Sequence, residues 1–310
     1  MGVHPPAVWI GFSILVAVLL ALDLFVLNRR SHVLATKEAL TWSGILVALA
    51  LLFGLFLISR EGVRHGLEFY TGYLIELSLS VDNLFVFVLV FQYFAVPPKY
   101  QPRVLKWGIL GAIVMRLVMI MLGAALLQRF EWIIYVFGGL LIVTGIRMAR
   151  TQAEDTVDPA RNIVARLARR FLPFTDHYDG QKFVTRLKSG AIRATPLLLV
   201  LLVIEWTDLV FAIDSIPAIF AVTRDPFLVY SSNIFAILGL RALFFVLASA
   251  MERFVYLKAG VAFILVFVGA KMVVSAWVHV PILLSLAVII GSLVTAIGLS
   301  LRKTTRPAGA

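Results

Sequence analysis

Glu205-Trp206-Thr207-Asp208-Leu209-Val210-Phe211-Ala212-Ile213-Asp214-Ser215-Ile216-Pro217-Ala218 places three carboxylates inside a run that is otherwise apolar from Pro196 to Val222. About 20 apolar residues carry an α-helix across the hydrocarbon of a bilayer, so the run reads as a membrane span. An acid at that depth costs roughly 2.5–3.5 kcal/mol on insertion scales. Three acids so close together need a function or a partner, and ion or proton handling is the first expectation for them.

The remainder of the chain fits a membrane setting. Its 310 residues are 61% hydrophobic and only 15% charged, with a mean hydropathy of +0.97. A soluble domain carries about a quarter charged residues. The chain has no cysteine, which excludes disulfides, thiolate metal ligands and a cysteine nucleophile. The first apolar run lacks a basic leader and a small-residue cleavage site, so it reads as a retained helix.

Nine apolar segments run approximately 7–27, 41–59, 67–94, 107–127, 132–148, 196–222, 227–249, 259–278 and 281–301. Assigning the connections to alternate sides puts 21 Lys and Arg on one side and 4 on the other, with Arg116, Arg241 and Lys271 inside helices. That bias predicts a cytoplasmic C-terminus and an external N-terminus. The net charge of +11 is therefore read as topology determinants and lipid-headgroup contacts rather than nucleic-acid binding.

The expected fold class is all-α, a polytopic membrane bundle of about nine helices. Residues 1–66 hold helices one and two. Residues 67–148 and 196–278 form two three-helix repeats, joined by a cytoplasmic linker over 149–195; residues 279–310 are the last helix and a basic tail. Within the linker, Arg166 to Arg170 suggest a basic surface helix. Lys182 to Arg193, with Ser189-Gly190 in the middle, predict a short hairpin.

The repeat is visible in the sequence. Val81-Asp82-Asn83-Leu84 aligns with Ile213-Asp214-Ser215-Ile216 and puts Glu76 on Asp208, at an offset of 132. Arg116 aligns with Arg241 at 125, and Gly145-Ile146-Arg147-Met148 with Gly269-Ala270-Lys271-Met272 at 124. The third and sixth segments cross in opposite senses, so the repeats are inverted. Secondary transporters have that arrangement, with the site near mid-membrane where the repeats meet.

On a regular helix residues six apart point about 120° away from each other. Neither Glu76 with Asp82 nor Asp208 with Asp214 would then converge, whereas Glu205 and Asp208 share a face. Pro217 and Ser215 suggest a break, and both helices are expected to unwind near Asp82 and Asp214. The five acids Glu76, Asp82, Glu205, Asp208 and Asp214 supply only oxygen. Asn83, Ser78, Ser80, Thr207 and Ser215 are candidate neutral ligands. Such a set suits Mn²⁺, Ca²⁺ or Mg²⁺. Crowded carboxylates repel, so cations or protons balance them and metal-for-proton exchange is consistent chemistry. The bland alternative pairs these acids with Arg116, Arg241 and Lys271. Five negatives and three positives leave −2, the charge one divalent cation neutralises. Arg116 and Arg241 read as organisers of the acids rather than ligands.

Other residues carry less. Asp23 suits a cap or salt bridge; Glu68, Glu131 and Glu252 sit at helix ends and are expected to face headgroups. His4, His32, His65, His177 and His279 form no i, i+4 pair, which argues against zinc. Asp176-His177-Tyr178-Asp179 reads as a solvated loop, and Phe85, Phe87 and Phe91 as packing or lipid-facing surface.

At the acidic motifs the chain resembles the TerC family of integral membrane proteins, its Alx branch included. The matching stretches are Glu76 to Asn83, Glu205 to Ala218, Thr223-Arg224-Asp225-Pro226-Phe227 and Ser232 to Ala242, with Asn28-Arg29-Arg30 and Lys37-Glu38-Ala39-Leu40 upstream. Trp206 stands where the family suggests Phe, and the loop after Pro159 is variable. The resemblance spans roughly residues 20 to 275. It implies a multi-pass protein of the bacterial inner membrane, linked to manganese efflux, with its acidic motifs on Glu76, Asp82, Glu205, Asp208 and Asp214. Tellurite is an oxyanion that a carboxylate site repels, so direct tellurite transport is disfavoured.

The expected function is export of a divalent cation, Mn²⁺ before Ca²⁺, with no resident cofactor and with lipid and the metal ion as partners. A membrane scaffold of a metal- or tellurium-stress complex is the rival. The expectation is against an enzyme: no phosphate loop or Ser/His/Asp constellation is present. An aspartyl protease using Asp82 with Asp214 would leave the other acids unexplained.

Overall fold

The computed structural model describes residues 4–22, 36–130, 132–150, 170, 173–187, 190–250, 256–274, 277 and 280–304. Among them are nine α-helices and one small hairpin. These are α1 (Pro6–Ala21), α2 (Thr36–Glu61), α3 (Val63–Tyr93), α4 (Gln101–Arg129), α5 (Ile133–Arg150), β1 (Val184–Arg186), β2 (Ile192–Ala194), α6 (Pro196–Phe220), α7 (Pro226–Ala250), α8 (Leu257–Val274) and α9 (Ile282–Thr304). In hydrocarbon each backbone N–H must be satisfied within its own segment, which is why the apolar runs become helices. Proline stands in the first turn of α1, α4 and α6, where its missing N–H costs nothing. Seven helices (α2 and α4 to α9) are long and apolar enough to cross a membrane, and α1 is shorter. The 31-residue α3 has the length but carries Arg64, Glu68, Glu76 and Asp82.

Helices α3 and α7 form the buried centre. They pack on each other, α4 packs on α6 and α5 on α8, while α2 covers α3 and α7 and α9 covers α8 and α3. Exchanging α3 with α6, α4 with α7 and α5 with α8 turns the α3–α7 contact into the α6–α4 contact and returns the α5–α8 contact to itself. The α5–α8 seam repeats at residue level. A methyl group on Gly145 would lie 2.7 Å from the Ala262 carbonyl oxygen, and one on Gly269 would lie 2.6 Å from that of Gly138. An offset of 124 carries one contact into the other. Since 145 meets 262 and 138 meets 269, the two helices run antiparallel with backbones in direct contact, which only glycine permits there.

Both ends of the bundle are tied. At one, the antiparallel hairpin pairs Val184 with Ala194 and Arg186 with Ile192. Gly190 takes the positive φ of +85° that its turn demands. The Tyr178 hydroxyl donates to the Phe94 carbonyl at 2.7 Å, and Arg103 lies over the Phe183 ring, so this segment sits on the α3–α4 connection. At the other end His4 pairs with Asp225 at 2.8 Å and faces Glu61 at 3.6 Å. The α3–α4 connection and the linker hairpin therefore share one end, and the start of α1 shares the other with the α2–α3 and α6–α7 connections.

Two expectations are corrected. Neither α3 nor α6 unwinds: α3 is helical through Asp82, and α6 is helical through Asp214 and Pro217 to Phe220. Pro217 costs α6 one hydrogen bond, and the acids are brought together by a long side chain from a third helix instead of by a break. Glu68 does not face headgroups. It lies more than a turn inside α3, buried at 6% exposure, and accepts hydrogen bonds from Thr223 at 2.7 Å and Arg64 at 2.9 Å. Asp23, Glu131, Glu252, His32, His279 and the Arg166–Arg169 stretch lie outside the described residues.

Candidate functional site

Two apolar clusters fill the bundle on either side of its middle. One takes in Leu84 to Phe91, Val104 to Ile109, Leu197 to Ile204 and Ile237 to Leu247. The other takes in Leu57 to Tyr73, Ile120 to Ala124, Ala212 to Phe220 and Phe227 to Leu238. On α3, α4 and α6 the residues between these clusters include Glu76, Arg116 and Asp208, all with 0–2% exposure. This is a charged layer sealed between two apolar ones.

Arg116 organises that layer. Its Nε and Nη2 donate to Asp208 Oδ2 and Oδ1 at 3.2 and 3.0 Å, the two-pronged geometry that matches a guanidinium to a carboxylate. Its Nη1 donates to Glu76 Oε1 and, at 3.4 Å, to Ser215 Oγ. Glu76 of α3 and Asp208 of α6 thus meet on one cation. With both acids ionised, one positive charge against two negative ones leaves the trio at −1.

The other acids point elsewhere. Asp214 is half-buried and accepts from the Thr144 hydroxyl of α5 at 3.1 Å. Asp208 faces α4 and Asp214 faces α5, the divergence that six residues on an unbroken helix impose. Half-buried Glu205 lies against Gly111 of α4, where any added methyl group would collide with its carboxylate. The Asp82 side chain lies outside the described residues. Among the described residues, no three Asp, Glu or His side chains gather as metal ligands would.

Of the neutral candidates, Ser78 and Thr207 return their hydroxyls to the Leu74 and Val203 carbonyls of their own helices. Ser215 is engaged by Arg116. Ser80 and Asn83 are buried. Arg241 is buried in α7. Lys271 does not serve the acids as the structural alternative supposed: its ammonium donates to Ser285 of α9 at 2.9 Å. Thr144, Gly111, Thr223 and Asp225 were not singled out for these roles. Only Thr144, a polar residue beside Gly145 in an apolar helix, gave a local signal. Asp225 also accepts the Phe227 N–H at 2.9 Å, capping α7.

A model of the integral membrane protein TerC family matches residues 61–308. The chain belongs to that family. It is 52% identical over 303 residues to an uncharacterized membrane protein of Myxococcus xanthus, covering 98% of this chain and 94% of the relative. It is 48% identical over 301 residues to Alx of Escherichia coli K12, named as a candidate membrane-bound redox modulator, covering 94% and 93%. An uncharacterized membrane protein of Rickettsia felis is 43% identical over 282 residues, covering 91% and 93%. No solved structure matches the chain. This TerC-family chain is thus a multi-pass integral membrane protein related to bacterial membrane proteins.

Proposed function

We propose that the protein is a secondary transporter of the bacterial inner membrane that exports a divalent cation, Mn²⁺ before Ca²⁺, in exchange for protons. The observation that carries this reading is the meeting of Glu76 and Asp208, from oppositely directed helices, on one fully buried guanidinium. Two acids on one arginine leave negative charge that a purely structural ion pair does not need. Glu205 and Asp214 are two more carboxylates on the helix that carries Asp208. Arg116 holds the place that a bridging cation would take, so loading requires the guanidinium to leave one acid. An all-oxygen donor set suits hard cations. The twofold exchange of contacts between α3–α5 and α6–α8 supports alternating access about a central site, and the Lys and Arg bias supports a cytoplasmic C-terminus.

The redox role in the name of the Escherichia coli relative takes an indirect form here. A chain without cysteine performs no thiol–disulfide exchange, and a redox effect follows from the cell's metal content. The rival scaffold reading has one observation in its favour, the full engagement of Arg116. It predicts that acid-to-amide variants keep their partners and that metal content is indifferent to them.

In cells lacking their own manganese exporter, expression should lower cellular Mn, measured by elemental analysis. Glu76→Gln or Asp208→Asn, the acids that meet on Arg116, should abolish the effect at unchanged membrane abundance. Retained Mn lowering in both variants overturns the site assignment.

A further inference from the structure

The face of α3 that carries Glu76 continues at i+4 and i+7 with Ser80 and Asn83. That spacing puts the three on one side of the helix over about 10 Å. Glu76 and Ser80 have no exposed surface and Asn83 is 2% exposed. Glu76 Oε2, Ser80 Oγ and Asn83 Nδ2 nevertheless have no hydrogen-bond partner among the described residues. Nearby hydroxyls on the same helix behave differently: Thr71 and Ser78 donate to carbonyls one turn back. On α6 the equivalent positions are Asp208, Ala212 and Ser215, and Arg116 engages both polar ones. Protein pairs the polar groups of one face and leaves those of its counterpart unpaired.

Polar groups this deeply buried in a native protein are paired with protein or with water. The face is closed in this state, so three unpaired groups in a line call for a file of water when it opens rather than one trapped molecule. We infer that the Glu76–Ser80–Asn83 face of α3 lines a hydrated passage, a path for a hydrated cation, from the central ion pair toward the end of the bundle that bears the α3–α4 connection. Phe87, one turn beyond Asn83, and Phe91, one turn further, are buried on the same side. Phe91 packs edge-on against Phe244 at 5.4 Å. These rings close the passage in this state and make its gate. The inference rests on the transport reading for its cargo only; the water is tested by itself.

The absence of native cysteine permits a direct test. Ser80→Cys, Asn83→Cys and, as a buried control, Ile75→Cys are treated in oriented membrane vesicles with a membrane-impermeant cationic methanethiosulfonate. Lys182→Cys in the linker marks the face. Ser80→Cys exchanges a single atom, and monodisperse elution of each variant checks its fold. Both passage cysteines should be modified from the Lys182→Cys face, Asn83→Cys faster than Ser80→Cys, with Phe87→Ala accelerating both and Ile75→Cys inert. If neither reacts in the Phe87→Ala background, if they react from the opposite face, or if Ile75→Cys reacts as fast, the passage does not exist. Modification without metal transport leaves the passage standing and sinks the transport reading; transport without modification does the reverse.

Discussion

Removing Arg116 alone should be far more damaging than removing the whole charged layer. Arg116 satisfies four acceptor atoms: both oxygens of Asp208, one of Glu76 and the Ser215 hydroxyl. All three ionic partners are essentially without exposed surface. Arg116→Met leaves two buried carboxylates uncompensated, and breaking a buried pair from one side costs about 3–5 kcal/mol. Replacing the set together, as Arg116→Met/Glu76→Leu/Asp208→Val, removes the stranded charge along with its partner. Apolar groups of comparable volume at such sites are often neutral or stabilising, so the triple variant should return to within about 1–2 kcal/mol of the natural chain. The six tryptophans report unfolding by SDS titration in mixed micelles. Metal export, measured in parallel, should be absent from both variants. The reasoning fails if Arg116→Met costs less than about 1 kcal/mol, or if the triple variant is as unstable as the single one. A triple variant that still exports metal refutes the assignment of this layer as the transport site and leaves it only a structural ion pair.

Two further outcomes follow from other parts of the fold. Gly269→Ala sets a methyl group 2.6 Å from the Gly138 carbonyl oxygen. Backbone cannot rotate away, so the α5–α8 seam should lose about 1–3 kcal/mol in the same titration. Gly291→Ala, which meets open space, should be neutral or slightly stabilising, and equal behaviour of the two would disprove the seam. In the linker, the Thr185 hydroxyl, and after it Lys182, hold the Asp179 carboxyl below the usual aspartate range. A lowered folded-state value means that the contribution is present above the unfolded aspartate range and is lost as pH falls through the lowered value. Amide protection of β1 and β2 should therefore persist into acid below that range, and Thr185→Val should move its loss to higher pH. The same acid midpoint in both proteins would show that the hydrogen bond has no such effect.

How much of the structure was legible in advance depended on how local each signal was. The helices were legible because hydrocarbon leaves an apolar run no other way to satisfy its backbone, and prolines mark several of their starts. The linker hairpin was legible from Ser189-Gly190, since the turn needs the positive φ that Gly190 adopts. The site was legible only as a set of misplaced charges. Arg116 stood out as an organiser, but its partners lie 40 and 92 residues away. Spacing within one helix cannot say which neighbour a side chain will face. The expected unwinding came from asking α3 and α6 to bring their own acids together. The reach of an arginine from α4 removed that need, and Asp208 and Asp214 kept the divergent directions of a regular helix.

The seam between α4 and α6 accounts for an asymmetry that the repeat leaves open. At the offset of 132 Glu205 aligns with Tyr73, an acid on α6 against a phenol on α3. In the fold, the Glu205 carboxylate occupies the room left by the missing side chain of Gly111. The offset of 125 that joins Arg116 to Arg241 carries Gly111 to Ala236, whose methyl group takes up the equivalent room on α7. Tyr73 is accordingly buried among apolar neighbours, in the cluster that also holds Ala236. The extra acid thus sits where α4 has a glycine, and the aligned position on α7 is an alanine. The charge gathers where α3, α4 and α6 meet on Arg116, and the unpaired polar face of α3 starts from that same point.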